Sequence, residues 1–484
     1  MRDNVLTAVS VVLALAAPAA AEFADVFEDV TLRIDLYHTG DASRETVAID
    51  RLLRQGTWAG PLDELVDPFG YGRYAVRVID PGSETVLYER GYDSLFGEYR
   101  TTAPARDQVA HTFHETVLAP LPRIPVRIEV VRRSSSGDDV VLLARSLDPA
   151  VEVIDAEPPA GGAVVVTTRD AGDPHAALDV AVLGEGYRIG DAGLFSRDLA
   201  RVTDLLLGQE PFASLADRIS VRGVLLPSVA AGSDEPTRGR WRDTALGTSF
   251  NSLGSPRYLL TGDHRQVRDI AATVPYDTLI LMVNHDRYGG GGIYNQYCTF
   301  TAHSPFAGYL LLHELGHSFA GLGDEYYTSS VAYEDLLVPG QEPTEPNVTA
   351  SAIEPKWADL VAPGIELPTP WEKEAFDRMD RAYQKEREAL NDAIADAARQ
   401  GADAERDELE KRLEELSERH AGKVQRFLAA SESAGIVGTF EGAGYASTGL
   451  YRPQVNCIMF SRGLGPYCEV CAAAVERMIR HYAP

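Results

Sequence analysis

The densest chemical signal in the sequence is HELGHSFAGLGDEYY, His313 to Tyr327. It holds two histidines four residues apart, a glutamate after the first, a glycine break and then an acidic pair. On a helix, positions i and i+4 lie one turn apart on one face. His313 and His317 can therefore turn their imidazoles toward one metal ion. Glu314 is rotated away from the metal but stays within reach of a water beside it. This is the mechanical content of an H-E-x-x-H zinc motif. The preceding run, Gly308 to Leu312, supplies apolar residues for the buried side of the helix.

The continuation completes a ligand set. Gly321 can end the helix in a left-handed conformation. The chain then turns back and presents Asp324 and Glu325. A helix, a glycine break and a returning ligand give three protein ligands and one open position. Zincins with a longer H-E-x-x-H-x-x-G-x-x-H motif are built this way. Here the glycine and the acidic residue each fall one position later, so the third ligand is a carboxylate. Asp324 is the expected ligand, with Glu325 as the alternative. Near the C-terminus, Tyr451 to Met459 reads as a turn holding a methionine, and metzincins place a Met-turn beneath their zinc. Tyr326, Tyr327, Tyr451 and Tyr467 are candidates to stabilise an oxyanion opposite the metal, with Tyr451 preferred.

HELGHSFAGLGDEY, YRPQVNCIM and the tail YCEVC resemble the IgA-peptidase-like zinc metallopeptidase family. So do Leu178 to Tyr187 and Tyr276 to Asn284. TLRIDLYHTG (Thr31 to Gly40) and RGYDSLFGEYRTT (Arg90 to Thr102) resemble that family's N-terminal domain. The resemblance implies a metzincin-like peptidase of protein or peptide substrates. It does not extend to immunoglobulin as the substrate.

Met1-Arg2, an apolar run from Val5 to Ala17 and Pro18-Ala-Ala-Ala21 read as a signal peptide cleaved after Ala21. The run is short for a membrane span, and no later segment approaches about 18 unbroken apolar residues. A secreted or periplasmic mature chain, not inserted in the membrane, is expected. With 72 acidic and 45 basic residues the formal net charge is -27. Such a surface repels nucleic acid and is compatible with basic or neutral substrates. Cys298, Cys457, Cys468 and Cys471 are expected to form disulfides in an oxidising compartment, with a four-cysteine zinc site as the rival. A bridge from Cys457 would brace the turn at Met459. Asn347-Val-Thr349 matches a glycosylation sequon.

The expected architecture is α+β. Residues 22–150 alternate apolar and polar positions between turn clusters and read as an N-terminal β-sandwich domain. Residues 151–484 alternate strands and helices, and the resemblance implies that they form a metzincin-like zincin catalytic domain. The run Gly289 to Gly292 reads as leading into an edge strand beside the cleft, suited to holding an extended peptide. Residues 371–428 are rich in Glu, Lys, Arg and Ala. Leu409, Leu413, Leu416, His420 and Val424 form one apolar seam; Phe376, Met379, Tyr383 and Leu390 form another. An inserted α-helical hairpin turning at Gln400-Gly401, folded outside the core, is expected.

The expected chemistry is metal-assisted peptide hydrolysis. His313, His317 and Asp324 hold Zn2+, and Glu314 is the general base toward the attacking water. The alternative is a binding or adhesion protein on a zincin scaffold that recognises glycans or proteins. An intact Glu314 favours the enzyme, since a binding scaffold has no use for a base.

Overall fold

The computed structural model describes residues 23–134, 139–156, 160–328, 337–463 and 465–484. The expected signal peptide, residues 1–21, lies outside the described residues. The chain is a mixed α+β protein with several sheets. Among the described residues no helix is long and apolar enough to cross a membrane.

A short helical turn, α1 (Phe23–Val26), precedes four strands: β1 (Phe27–Gly40), β2 (Glu45–Gln55), β3 (Tyr74–Ile79) and β4 (Val86–Tyr92). Two short helices follow, α2 (Leu95–Tyr99) and α3 (Ala103–Arg106), then β5 (His111–Pro122), β6 (Val126–Arg132) and β7 (Val140–Leu147). These strands form two antiparallel sheets, ordered β2-β1-β5 and β4-β3-β6-β7. Period-2 alternation puts Leu32, Ile34 and Leu36 of β1 into one core with Val76 and Val78 of β3 and Ile128 and Val130 of β6. The opposite face of β1 is also buried. Arg33 there pairs with Asp35 at 2.7 Å and with Asp269 of a later helix at 2.5 Å.

The larger sheet contains β8 (Val164–Arg169), β9 (Leu178–Glu185), β10 (Ile219–Leu225), β11 (Thr278–Val283), β12 (Gly290–Ile293) and β13 (Tyr297–Thr301). Its order is β12-β13-β11-β9-β10-β8. The four inner strands are parallel and both edge strands run antiparallel. Buried on both faces, β9 and β11 read as near-continuous apolar runs. Val180, Val182, Ile280 and Met282 face a core shared with α4 (Ala192–Leu207), α6 (Ala307–Ala320) and α9 (Glu469–Tyr482). Ala181, Leu183, Leu279 and Leu281 face α5 (His264–Ala271) on the other side.

Between α6 and α9 the chain forms two long paired helices, α7 (Lys373–Gln400) and α8 (Asp403–Ala429), then a ribbon of β14 (Phe440–Ala443) and β15 (Ala446–Arg452). The turn falls at Gly401, left-handed with φ 68°. The helical pair departs from the expectation of a hairpin outside the core. Phe376, Val424 and Leu428 belong to the main core, and Phe376 packs against Phe460 with ring centroids 5.3 Å apart. Tyr327, just past the HELGH helix, donates to Asp377 at 2.7 Å. Toward the turn, Glu410 pairs with Arg238 and ties the two helices to the rest of the chain.

Arg238 belongs to a cluster around the buried Glu235, which lies 3.2 Å from Arg238, 3.2 Å from Arg240, 3.4 Å from Arg287 and 3.6 Å from His285. Burial raises the Glu235 carboxyl, but His285, Arg238 and Arg287 outweigh it and hold the group at about 2. A carboxyl depressed in this way stabilises the fold above its unfolded value near 4.5, and that stability is lost as pH falls through about 2. Glu235→Gln should cost about 1–3 kcal/mol at neutral pH. The gap between variant and wild type in urea denaturation should shrink between pH 4.5 and 2. A gap that is unchanged over that range would remove the charge from this account.

Candidate active site

Helix α6 carries His313, Glu314 and His317 and ends at Gly321, left-handed with φ 61°. From there the chain reverses and brings Asp324 back over the helix. Asp324 Oδ1 lies 3.2 Å from His313 Nε2 and 3.3 Å from His317 Nε2, and the two Nε2 atoms are 3.3 Å apart. Both rings are oriented from behind. His313 Nδ1 faces the carbonyl of Ile458 at 3.1 Å, and His317 Nδ1 faces that of Leu322 at 2.5 Å. A carbonyl only accepts, so each Nδ1 carries a proton and each Nε2 is the ring nitrogen turned inward toward Asp324. Tyr309 stacks on His313, with centroids 5.0 Å apart.

The electrostatics call for positive charge here. Burial opposes an imidazolium at His317, yet the Asp324 carboxylate outweighs it and raises the group to about 9. Burial likewise opposes the Asp324 carboxylate, but His317 and His313 hold it well below the usual range. Three converging donors in a buried pocket, one of them a carboxylate held ionised, are suited to a metal cation. His313, His317 and Asp324 form one of the groups able to hold a metal.

Met459 is fully buried, and its sulfur lies 3.0 Å from where a Cβ on Gly316 would stand. The turn also works through its backbone. Besides Ile458, the carbonyl of Met459 accepts from the Glu325 amide at 2.9 Å. Asn347 fixes the returning loop. It accepts from Gly323 N at 2.7 Å and donates to Gly323 O at 2.9 Å and Glu325 Oε1 at 3.0 Å. With 0% exposure it is no glycan acceptor in the folded chain, contrary to the sequon match.

These residues open onto a cleft of about 220 Å³. Glu314 lines it beside β12. A Cβ on Gly290 would stand 3.0 Å from Glu314 Oε1, and one on Gly292 would stand 2.3 Å from the Glu314 carbonyl oxygen. The glycine run thus lets the edge strand press against the helix. Gly290 N donates to Arg257 O at 3.2 Å and Gly290 O accepts from Leu259 N at 3.1 Å. Gly292, two residues on, presents its backbone groups in the same direction. Burial raises the Glu314 carboxyl above its ordinary value, although His313 and His317 pull it down.

Two expectations are corrected. Tyr451 does not line the cleft; it sits on β15, where its backbone pairs with Thr349 and Glu441. Tyr445 takes that place, its hydroxyl donating to Asp324 and lying 3.3 Å from the Tyr326 hydroxyl. Its signal was the glycine-rich run Gly442-Ala-Gly444 that ends β14 and turns into β15, carrying Tyr445 at φ 65°. The four cysteines are all unbridged. Cys298 lies in β13, apart from the C-terminal three.

Sequence reasoning also missed the cleft walls. Arg73, Asp93 and Glu98 come from the N-terminal half, and Tyr383, Arg387 and His420 from the helical pair. Glu98 accepts from Tyr258 at 2.6 Å, and burial pushes it up to about 7. His420 meets Asp380 at 2.7 Å and stacks on Tyr383, so it is a packed residue of the wall. Arg257, Arg387 and Arg462 also line the cleft. Burial and the nearby Arg257 lower the Arg387 guanidinium below its usual value. Arg73, Arg257, Arg387 and Arg462 thus share the cleft lining with Asp93, Glu98, Glu314, Asp324, Glu345 and Asp380.

Two histidines and a carboxylate around one point, with a second carboxylate beside them in a cleft, define a metallohydrolase type of site. Residues 166–479 match the family described as IgA Peptidase M64, and residues 22–141 match the family described as Peptidase M64 N-terminus. The chain belongs to the IgA peptidase M64 family, whose members are metallopeptidases acting on protein or peptide substrates. No curated protein matches it.

The approach of β12 to α6 is directly testable. Gly292→Ala would force backbone apart and should cost about 1–3 kcal/mol. It should also weaken metal binding, because His317 Cβ would stand only 2.9 Å from the new methyl. Gly190→Ala, with open space at its Cβ, should do neither. Thermal melts and metal titration of both variants make the comparison, and equal behaviour would dismiss the close contact as unimportant.

Proposed function

We propose that this chain is a secreted or periplasmic zinc endopeptidase. In this reading residues 151–484 form a metzincin-like catalytic domain carrying a helical hairpin at 371–428, and residues 22–150 form a β-sandwich domain. The observation that carries the proposal is the convergence of His313 Nε2, His317 Nε2 and Asp324 Oδ1 within 3.3 Å of one another. Two imidazoles and a carboxylate are a fitting donor set for Zn2+. The match to the family's N-terminal region begins at residue 22, directly after the expected cleavage point at Ala21, which supports export.

His313, His317 and Asp324 would hold the ion. Bound zinc supplies Lewis acidity that polarises the scissile carbonyl and makes water acidic enough to attack near neutral pH. Glu314 accepts the proton of the attacking water and passes it to the leaving amine. Its raised carboxyl pKa suits both halves of that task. Gly292 offers backbone groups to an extended substrate on the stretch of the β12 edge beyond the pairing of Gly290 with Arg257 and Leu259. Tyr445, beside Asp324, is suited to stabilise the oxyanion. Arg387, on the helical-pair wall of the cleft, favours a substrate that brings a carboxylate to that wall. The rival reading, a glycan- or protein-binding scaffold, has no use for Glu314.

Glu314→Gln should retain zinc and lose at least about a thousandfold in kcat, a magnitude set by general-base catalysis. His313→Ala and Asp324→Ala should lose metal and hydrolysis together, and a chelator should reproduce that loss. Metal analysis alongside cleavage of a mixed peptide pool makes the measurement. Near-normal turnover by Glu314→Gln, or no cleavage by metal-loaded wild type, would favour the binding scaffold.

Arg387→Ala should lower kcat/KM for acidic peptides by about tenfold, roughly 1.4 kcal/mol. It should leave neutral peptides nearly unchanged. An equal loss on both would mean that Arg387 supports the wall and does not select substrate.

A further inference from the structure

Outside the catalytic triad of ligands, the described residues contain a second convergence of metal-ligating groups. Glu325, Cys457, Cys468 and Cys471 each offer one atom, and the four atoms all lie within 4.8 Å of one another. They come from three segments: the returning loop after α6, the turn before Met459, and the start of α9. Cys471 Sγ is 3.2 Å from Glu325 Oε1, and Cys468 Sγ is 4.0 Å from it. Ligands 2.3 Å from a tetrahedral zinc stand about 3.8 Å from each other, so the cluster has the span of such a site.

Every member is buried, with exposures of 0% for Glu325, 3% for Cys457, 4% for Cys468 and 0% for Cys471. Glu325 Oε2 has no hydrogen-bond partner. A buried carboxylate oxygen without a donor costs several kcal/mol unless a cation answers it. The nearby Arg452 does not fill that role. Its guanidinium donates to the carbonyls of Glu441, Gly442 and Val455. The thiols are unbridged, so no disulfide accounts for their gathering. Two features favour thiolates. The Cys468 amide donates to Cys457 Sγ at 3.3 Å, and Cys468 stands at the residue before the 14-residue α9 with Cys471 in its first turn.

We propose that Glu325, Cys457, Cys468 and Cys471 bind a second divalent cation of the zinc class, in a closed structural site. Binding releases the three thiol protons to solvent as the sulfurs take up the metal. No position remains open for water, so the site does no hydrolysis. Its work is to fasten three segments of the catalytic centre. Glu325 follows the ligand Asp324 directly, and Cys457 precedes Ile458, whose carbonyl orients His313. The returning loop, the Met459 turn and α9 are thereby joined at one point beneath the catalytic ligands.

The test is metal stoichiometry on the full chain, purified under reducing conditions with zinc present. Wild type should carry two zinc ions. His313→Ala/His317→Ala should carry one, and Cys468→Ser/Cys471→Ser should lose the second site. Should the cysteine variant fail to fold, cobalt(II) loading of His313→Ala/His317→Ala decides the matter. Its remaining ion should give an intense thiolate-to-cobalt absorption in the near ultraviolet, which a His/His/Asp site cannot produce. Glu325→Gln should weaken that ion at least tenfold in a chelator competition. One zinc in wild type, a cobalt spectrum without the thiolate band, or a native Cys–Cys bridge found by mass spectrometry would each overturn the proposal. None of these outcomes depends on whether the chain cleaves peptides.

Discussion

Three electron-pair donors are held within 3.3 Å of one another by carbonyls and helix geometry that leave them no other orientation. Such an arrangement is repulsive unless positive charge sits among the donors, and much of the surrounding structure bears that cost. Gly321 reverses the chain, Asn347 holds both backbone groups of Gly323, and Ile458 and Met459 hold His313 and Glu325 from below. Each contact spends buried polar groups on aiming a ligand. The expected result is a preorganised site whose ligands need little rearrangement when a cation enters.

The cleft is assembled from parts far apart in sequence. The six-stranded sheet supplies a floor with a glycine edge close enough to touch Glu314. The N-terminal part contributes Arg73, just before β3, and Glu98 of α2, and the helical pair contributes Tyr383 and Arg387. The walls of the cleft therefore draw on the whole chain. The contrast between a net charge of -27 and an arginine-bearing cleft follows from the same assembly. Net charge describes the long-range field, whereas a bound peptide meets the few charges within a Debye length of about 8–10 Å.

The signals that read well along the chain were local ones. The period-2 pattern of Leu32, Ile34 and Leu36, the apolar run at Leu279 to Val283, and the glycine at 401 ending a charge-rich helix each carry their conformation within a few residues. Tyr451 and the cysteines read poorly for one shared reason. Whether a tyrosine reaches a cleft depends on which residue occupies a ribbon turn, and Tyr445 holds that turn. Whether cysteines bridge or gather round a cation depends on what else stands beside them, and here that neighbour is Glu325.

The sequence by itself determined the identity of the H-E-x-x-H helix, its glycine stop, the carboxylate returning after it and the family to which they belong, because helical spacing is a property of consecutive residues. Only the tertiary structure decided that Tyr445 and not Tyr451 meets Asp324, that Asn347 is a buried brace and not a glycan site, and that Phe376 and Val424 root the helical pair in the core. It also divided the acidic pair, sending Asp324 to the histidines and Glu325 to the thiols. Neighbouring side chains in an extended loop leave the backbone on opposite sides, so two adjacent acids serve two different clusters. Only the packing on each side of the loop assigns them.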